Sequence, residues 1–115
     1  MQTNGLQPRL DALVSRYRGT QANPTPGELE DLYTDSCAEM LRLEGQLLRL
    51  KRRLIAAEAV RSHDAVAVRE AADLRRLRDQ TADELAAVRT LVRLLRTALD
   101  WASASATYDS AEPAA

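Results

Sequence analysis

Phenylalanine is absent from this 115-residue chain, isoleucine occurs once (Ile55), and Trp101 and three tyrosines are the only aromatic residues. Strands are built largely from β-branched and aromatic side chains. Their scarcity argues against a β-sandwich, a β-barrel and a doubly wound α/β fold. Cysteine also occurs once, at Cys37, so no internal disulfide can staple the chain. That excludes a small disulfide-rich scaffold and makes a reducing cytoplasm the expected compartment. Histidine occurs once, at His63, and one His with one distant Cys does not make a metal-ligand set. There is no surplus of positive charge either: 16 basic residues face 17 acidic ones. A domain built to neutralise phosphates carries a clear basic excess. No apolar run approaches the roughly 20 residues that span a bilayer. Residues Met1 to Arg9 lack the cationic and apolar segments of a signal peptide. A soluble protein without membrane contact is expected.

Glycine and proline are missing from Gln46 to Glu112. These are the strongest breakers of regular structure, so that span is free to be helical. What is abundant agrees with this. The chain holds 20 Ala and 18 Leu, with Arg and Glu prominent, and all four residue types favour helices. The fold class is therefore all-α.

Residues 8–18 predict a short helix. Pro8 suits a first helical position, and Gly19 suits a stop. Leu10, Leu13, Val14 and Tyr17 share one face. A helix this short is not stable alone in water and must dock. Residues 19–26 read as a loop, so 1–26 form a short helix and linker. Thr25-Pro26-Gly27-Glu28 then spells a capped helix start, with Glu28, Glu30 and Asp31 on the positive end of the helix dipole.

The second helix carries a heptad stripe: Leu29, Tyr33, Ser36, Met40, Leu43, Leu47, Leu50, Leu54 and Ala57. A second stripe, Cys37, Leu41, Leu48 and Ile55, flanks it. Two adjacent stripes suit a helix with neighbours on two sides. The pattern weakens at Arg61 to Asp64, where Ser62 or Asp64 can cap a new helix. Another stripe follows, from Ala67, Ala71, Leu74 and Leu77 through Thr81, Leu85, Val88, Val92, Leu95 and Leu99. Leu91, Leu94, Ala98 and Trp101 widen it. Thr81-Ala82-Asp83-Glu84 also has capping-box spelling, which allows a break near Arg78–Gln80.

Two shapes fit these stripes. One is a helix over 28–103, about 114 Å long at 1.5 Å per residue. The other is an antiparallel hairpin of 28–61 and 64–103, with legs of about 50–60 Å. Charge favours the hairpin. Residues 27–45 hold six acids and one Arg, net −5, and residues 46–61 hold five bases and one Glu, net +4. Arg89, Arg93 and Arg96 then lie opposite the acidic half. The expected domain is a helical hairpin over 27–103, with a flexible tail over 104–115.

No set of catalytic residues is present, and no cofactor or small-molecule substrate is implied. Cys37 reads as a packed thiol, and Glu39 and Glu44 as a solvated face. His63-Asp64-Ala65-Val66 resembles the phospho-acceptor helix of histidine kinases, which implies phosphotransfer at His63; the plainer reading is a polar turn. Arg49, Lys51, Arg52 and Arg53 surround Leu50 and are the candidate nucleic-acid contacts, although no aromatic residues interleave them as stacking platforms. Tyr108-Asp109-Ser110-Ala111-Glu112 resembles the Tyr-x-x-x-Glu signal that follows the helical hairpin of small type VII secretion substrates. That resemblance implies an exported hairpin, but the Trp-x-Gly turn of many such proteins is missing.

The favoured reading is a non-catalytic interaction module with a protein partner. Two long helices and a short one leave too little surface to cover a wide Leu/Ala face. A homodimer is expected, closing a four-helix bundle or coiled coil through Leu43, Leu47, Leu50 and Leu54. Tyr33 and Trp101 have two readings. They pin the short helix against the core, or they form an aromatic anchor for a partner.

Overall fold

The computed structural model describes residues 8–21, 24–60 and 64–111, with 106–111 described by backbone alone. Among these residues the chain is all-α. Helix α1 is Pro8–Gly19, α2 is Pro26–Ala59 and α3 is Ala65–Ala111. Helix α1 stops at Gly19, after which the Thr20 amide donates to the Arg16 and Tyr17 carbonyls, each at 3.1 Å. Thr25 caps α2, its hydroxyl accepting from the Glu28 amide at 3.1 Å. Helix α2 ends where Val60 turns extended, at φ −79° and ψ 103°. This rules out one continuous helix. Asp64 starts α3, its carboxylate accepting from the Val66 amide at 3.2 Å. Ser62 and His63 lie outside the described residues.

Helices α2 and α3 form an antiparallel hairpin. Glu44 meets Arg89 at 3.0 Å, Gln46 meets Thr81 at 3.2 Å, and Glu58 meets Arg75 at 2.8 Å. Residue numbers rise along α2 as they fall along α3. The expected match of Arg89 with the acidic half of α2 is thus made by Glu44. Helix α3 passes through Arg78–Gln80 without a break. Thr81, with its capping-box spelling, is only 2% exposed, and its hydroxyl is used across the hairpin by Gln46. The helix also runs past 103 to Ala111, since alanines recur there and no glycine or proline intervenes before Pro113.

The core has two clusters. At the open end, Leu10 and Leu13 of α1 dock onto Leu29, Leu32 and Leu43 of α2 and Leu85, Val88, Leu91 and Leu95 of α3. Fully burying one such side chain is worth about 1.5–3 kcal/mol, which supplies what a 12-residue helix lacks alone. Toward the closed end, Leu50 and Leu54 pack on Ala71 and Leu74. The seam on α2 keeps Leu29, Ser36, Leu43, Leu50 and Leu54 of the expected stripe, but Leu32 and Glu39 are buried where Tyr33 and Met40 were expected, and these two are half-buried beside it. Of the flanking stripe, Cys37 is half-buried, while Leu41, Leu48 and Ile55 stay exposed among the described residues, because α3 packs on the other face of α2. The Cα trace spans 81 × 32 × 14 Å.

Candidate functional site

Between the two apolar clusters lies a polar layer. Glu39 is only 7% exposed, so it does not belong to a solvated face as the sequence reading expected. Arg42 grips it through Nε at 3.0 Å and Nη2 at 2.5 Å, while Nη1 donates to Gln46 at 3.1 Å. Gln46 reaches on to Thr81. Glu84, 2% exposed, faces this group from α3 and adds to the field at Arg42. The hydrogen bond to Glu39 holds the Arg42 guanidinium above its ordinary pKa, with partial burial acting in the opposite sense. The signal for Glu39 was its spacing: it lies three residues after Ser36 and four before Leu43, on the buried heptad. The Glu39–Arg42 pair lies within α2 and is kept in any register of the two helices; the Gln46–Thr81 hydrogen bond joins this layer to α3 and favours the observed one.

The expected self-association residues are placed as follows. Leu43, Leu50 and Leu54 lie between α2 and α3 of a single chain, and Leu47 is half-buried beside them. Tyr33 is half-buried against the open-end cluster. Its hydroxyl titrates above the usual phenol range, chiefly through a side-chain hydrogen bond with Cys37 and the nearby thiol's charge, opposed in part by Arg96. Trp101 is 75% exposed and does not pin α1; Leu10, Leu13, Val14 and Tyr17 hold that helix instead. Arg49, Lys51, Arg52 and Arg53 are all exposed around buried Leu50. At about 100° per residue, Arg49, Arg52 and Arg53 share one outward arc at spacings of three and four, while Lys51 stands apart from it.

What remains uncovered is apolar and periodic. On α2, Leu41, Leu48 and Ile55 stand outward at seven-residue spacing. On α3, Leu94 and Trp101 repeat the same spacing, continuing from exposed Ala87. The sequence contained both stripes; their exposure depends on α3 covering a single face of α2. Cys37, a free thiol, is half-buried at the edge of the α2 stripe. Among the described residues no group of three or more His, Cys, Asp or Glu side chains is placed to hold a metal ion, and no helix is long and apolar enough to cross a membrane. Tyr108 lies within α3, while Glu112 lies outside the described residues. Compared with protein-family models, curated proteins and solved structures, the chain matches none of them.

Proposed function

We propose that the chain is a non-catalytic helical interaction module, an adaptor, regulator or assembly subunit of the cytoplasm, which associates with a second copy of itself. The observation that supports this is the uncovered apolar surface. Leu41, Leu48 and Ile55 are each at least 49% exposed along the outer face of α2. Scattered surface leucines are ordinary, but a repeat of seven along one helix face is the pattern that helices use to pair. Within one chain α3 packs on a single face of α2, and a second copy covers the opposite one. The long, straight legs of α2 and α3 then serve as a rigid platform with polar edges.

Sedimentation equilibrium of the full chain tests this reading. A mass above 12.7 kDa that rises with protein concentration through the micromolar range is expected. A mass fixed at the monomer value throughout rejects self-association.

A further inference from the structure

We infer that the outer stripe of α2 docks antiparallel on the same stripe of a second copy, with Leu48 at the two-fold axis. This rests on the self-association reading and adds the face, the direction and the register. Leu41, Leu48 and Ile55 are 64%, 49% and 68% exposed. A strict repeat of seven drifts only about 20° per heptad on a straight helix, so the three side chains form one seam that a slight supercoil keeps in line. When Leu48 faces Leu48 of the second copy, Leu41 falls opposite Ile55 of that copy, and the same contact recurs at the other end. The pairing is isologous and closes on itself, so it yields a dimer and not a filament.

Charge sets the direction. Glu44 and Lys51 lie on one flank of this seam, seven residues apart and on either side of Leu48. A two-fold axis across antiparallel helices brings each flank against its own copy. Glu44 therefore meets Lys51 of the second copy, and Lys51 meets Glu44 of the second copy. A parallel pair, whose two-fold axis runs along the helices, would set each flank against the opposite one, leaving Glu44 beside Gly45 and bringing Lys51 against the like charge of Arg52 of the second copy. Lys51 is exposed, and Glu44 stays 38% exposed even while it holds Arg89 of its own chain, so its carboxylate can take a second cation. The same antiparallel arrangement sets the acidic stretch before Gly45 toward the basic stretch after it. The opposite flank carries Ala38, Gly45 and exposed Arg52. Charges of this kind select orientation more than they add affinity.

The contact is modest in size. The seam from Cys37 to Ala59 covers about 34 Å of a helix about 10 Å wide, which puts the interface below the roughly 1,200 Å² of a standard stable complex. The dimer is therefore expected to exchange with monomer at micromolar concentrations, with α2 helices at the centre and α3 helices on the outside.

The test uses the full-length chain with Cys37→Ser as background. Under mild oxidation Leu48→Cys should give a disulfide-linked dimer, because the two copies of that residue meet at the axis. Leu41→Cys alone should stay unlinked, since a disulfide needs Cα atoms within about 7 Å and its two copies lie about 21 Å apart. A mixture of Leu41→Cys with Ile55→Cys should link. Separately, Leu48→Glu should lower the mass to that of the monomer with unchanged helix content by circular dichroism. Self-linking of Leu41→Cys would overturn the antiparallel register. A dimer that survives Leu48→Glu, or a Leu48→Cys chain that does not link while still dimeric, would move the interface to another face and leave self-association standing. A wild-type chain that is monomeric at every concentration would overturn both.

Discussion

At its open end the hairpin has three helices in contact, and toward its closed end it has two. The first cluster holds nine buried residues, and Leu43, Val88 and Leu95 in it are 0% exposed. The second holds four, with Leu50 at 6% and Ala71 at 8%. Around this smaller cluster Val60, Val66, Val68 and Leu77 remain between 46% and 70% exposed. Composition contributes, since residues 55–73 hold no leucine and offer mostly alanine and valine. The third helix adds to it. Two cylinders touch along one line, and a residue at that line is covered only from the front. A short third helix set across the groove covers it from the side as well. Leu77 shows the consequence: it keeps the heptad spacing of Leu74 and Thr81, yet it is 46% exposed.

The largest effect that separates the two halves is expected from truncating one leucine in each. Leu43→Ala should destabilise by about 4–5 kcal/mol, the upper part of the range for buried leucines, because three helices hold the cavity open. Leu54→Ala should cost about 2–3 kcal/mol, because the two-helix half can close or admit water. Equilibrium urea unfolding of the two variants measures the gap. Equal losses would mean that the third helix does not govern the packing.

Between the clusters, Arg42→Ala should cost about 3 kcal/mol, because it strips both short hydrogen bonds from the buried Glu39 carboxylate and leaves only the exposed Arg9, 3.9 Å away, to face it. The pair is one-third exposed at Arg42, which places the figure at the lower end of that class. Replacing Glu39 and Arg42 together by Leu and Met should recover most of the loss, since an apolar pair carries no desolvation cost. If the single and double variants are equally unstable, the ion pair is not what Arg42 contributes.

How far the fold was legible follows from the physical range of each signal. Thr25 and Pro26, Pro8 and Gly19 act within a turn of their own position, and the helix ends they indicate are present. The hairpin followed from a charge pattern that only an antiparallel partner satisfies, as the Glu44–Arg89 pair illustrates. Choices that depend on a neighbour's placement were harder. Whether Tyr33 or Leu32 faces inward differs by one helical step of about 100°, and α1 and α3 together decide it. Glu39 looked solvated because its type is usually exposed, while its heptad position pointed inward. The break expected at Arg78–Gln80 rested on Thr81, whose hydroxyl serves Gln46 across the hairpin. The outer stripe of α2 was visible in sequence, but its exposure depends on the absence of a second intrachain neighbour. As for the candidate site, the residues expected to pair between copies, Leu43, Leu50 and Leu54, are those the hairpin itself buries.

The smallest expected effect belongs to Trp101. It is the largest apolar side chain in the sequence, and it stands at the better-packed end of the molecule. Were it part of that core, Trp101→Ala would cost about 3–5 kcal/mol. At 75% exposure it has little burial to lose, so the variant should unfold within about 0.5 kcal/mol of wild type. As the sole tryptophan it also reports on itself: its emission in the free chain should be that of an indole in water and be readily quenched by iodide. It lies on α3, away from the Leu48 seam, so the variant should keep the concentration-dependent mass of wild type. An exposed tryptophan that serves neither the core nor the dimer fits the anchor reading, in which an aromatic side chain at a rigid helix end is held ready for a different protein. Blue-shifted, unquenched emission together with a destabilised Trp101→Ala variant would return Trp101 to the core and remove the one feature that sets the open end apart on the outside.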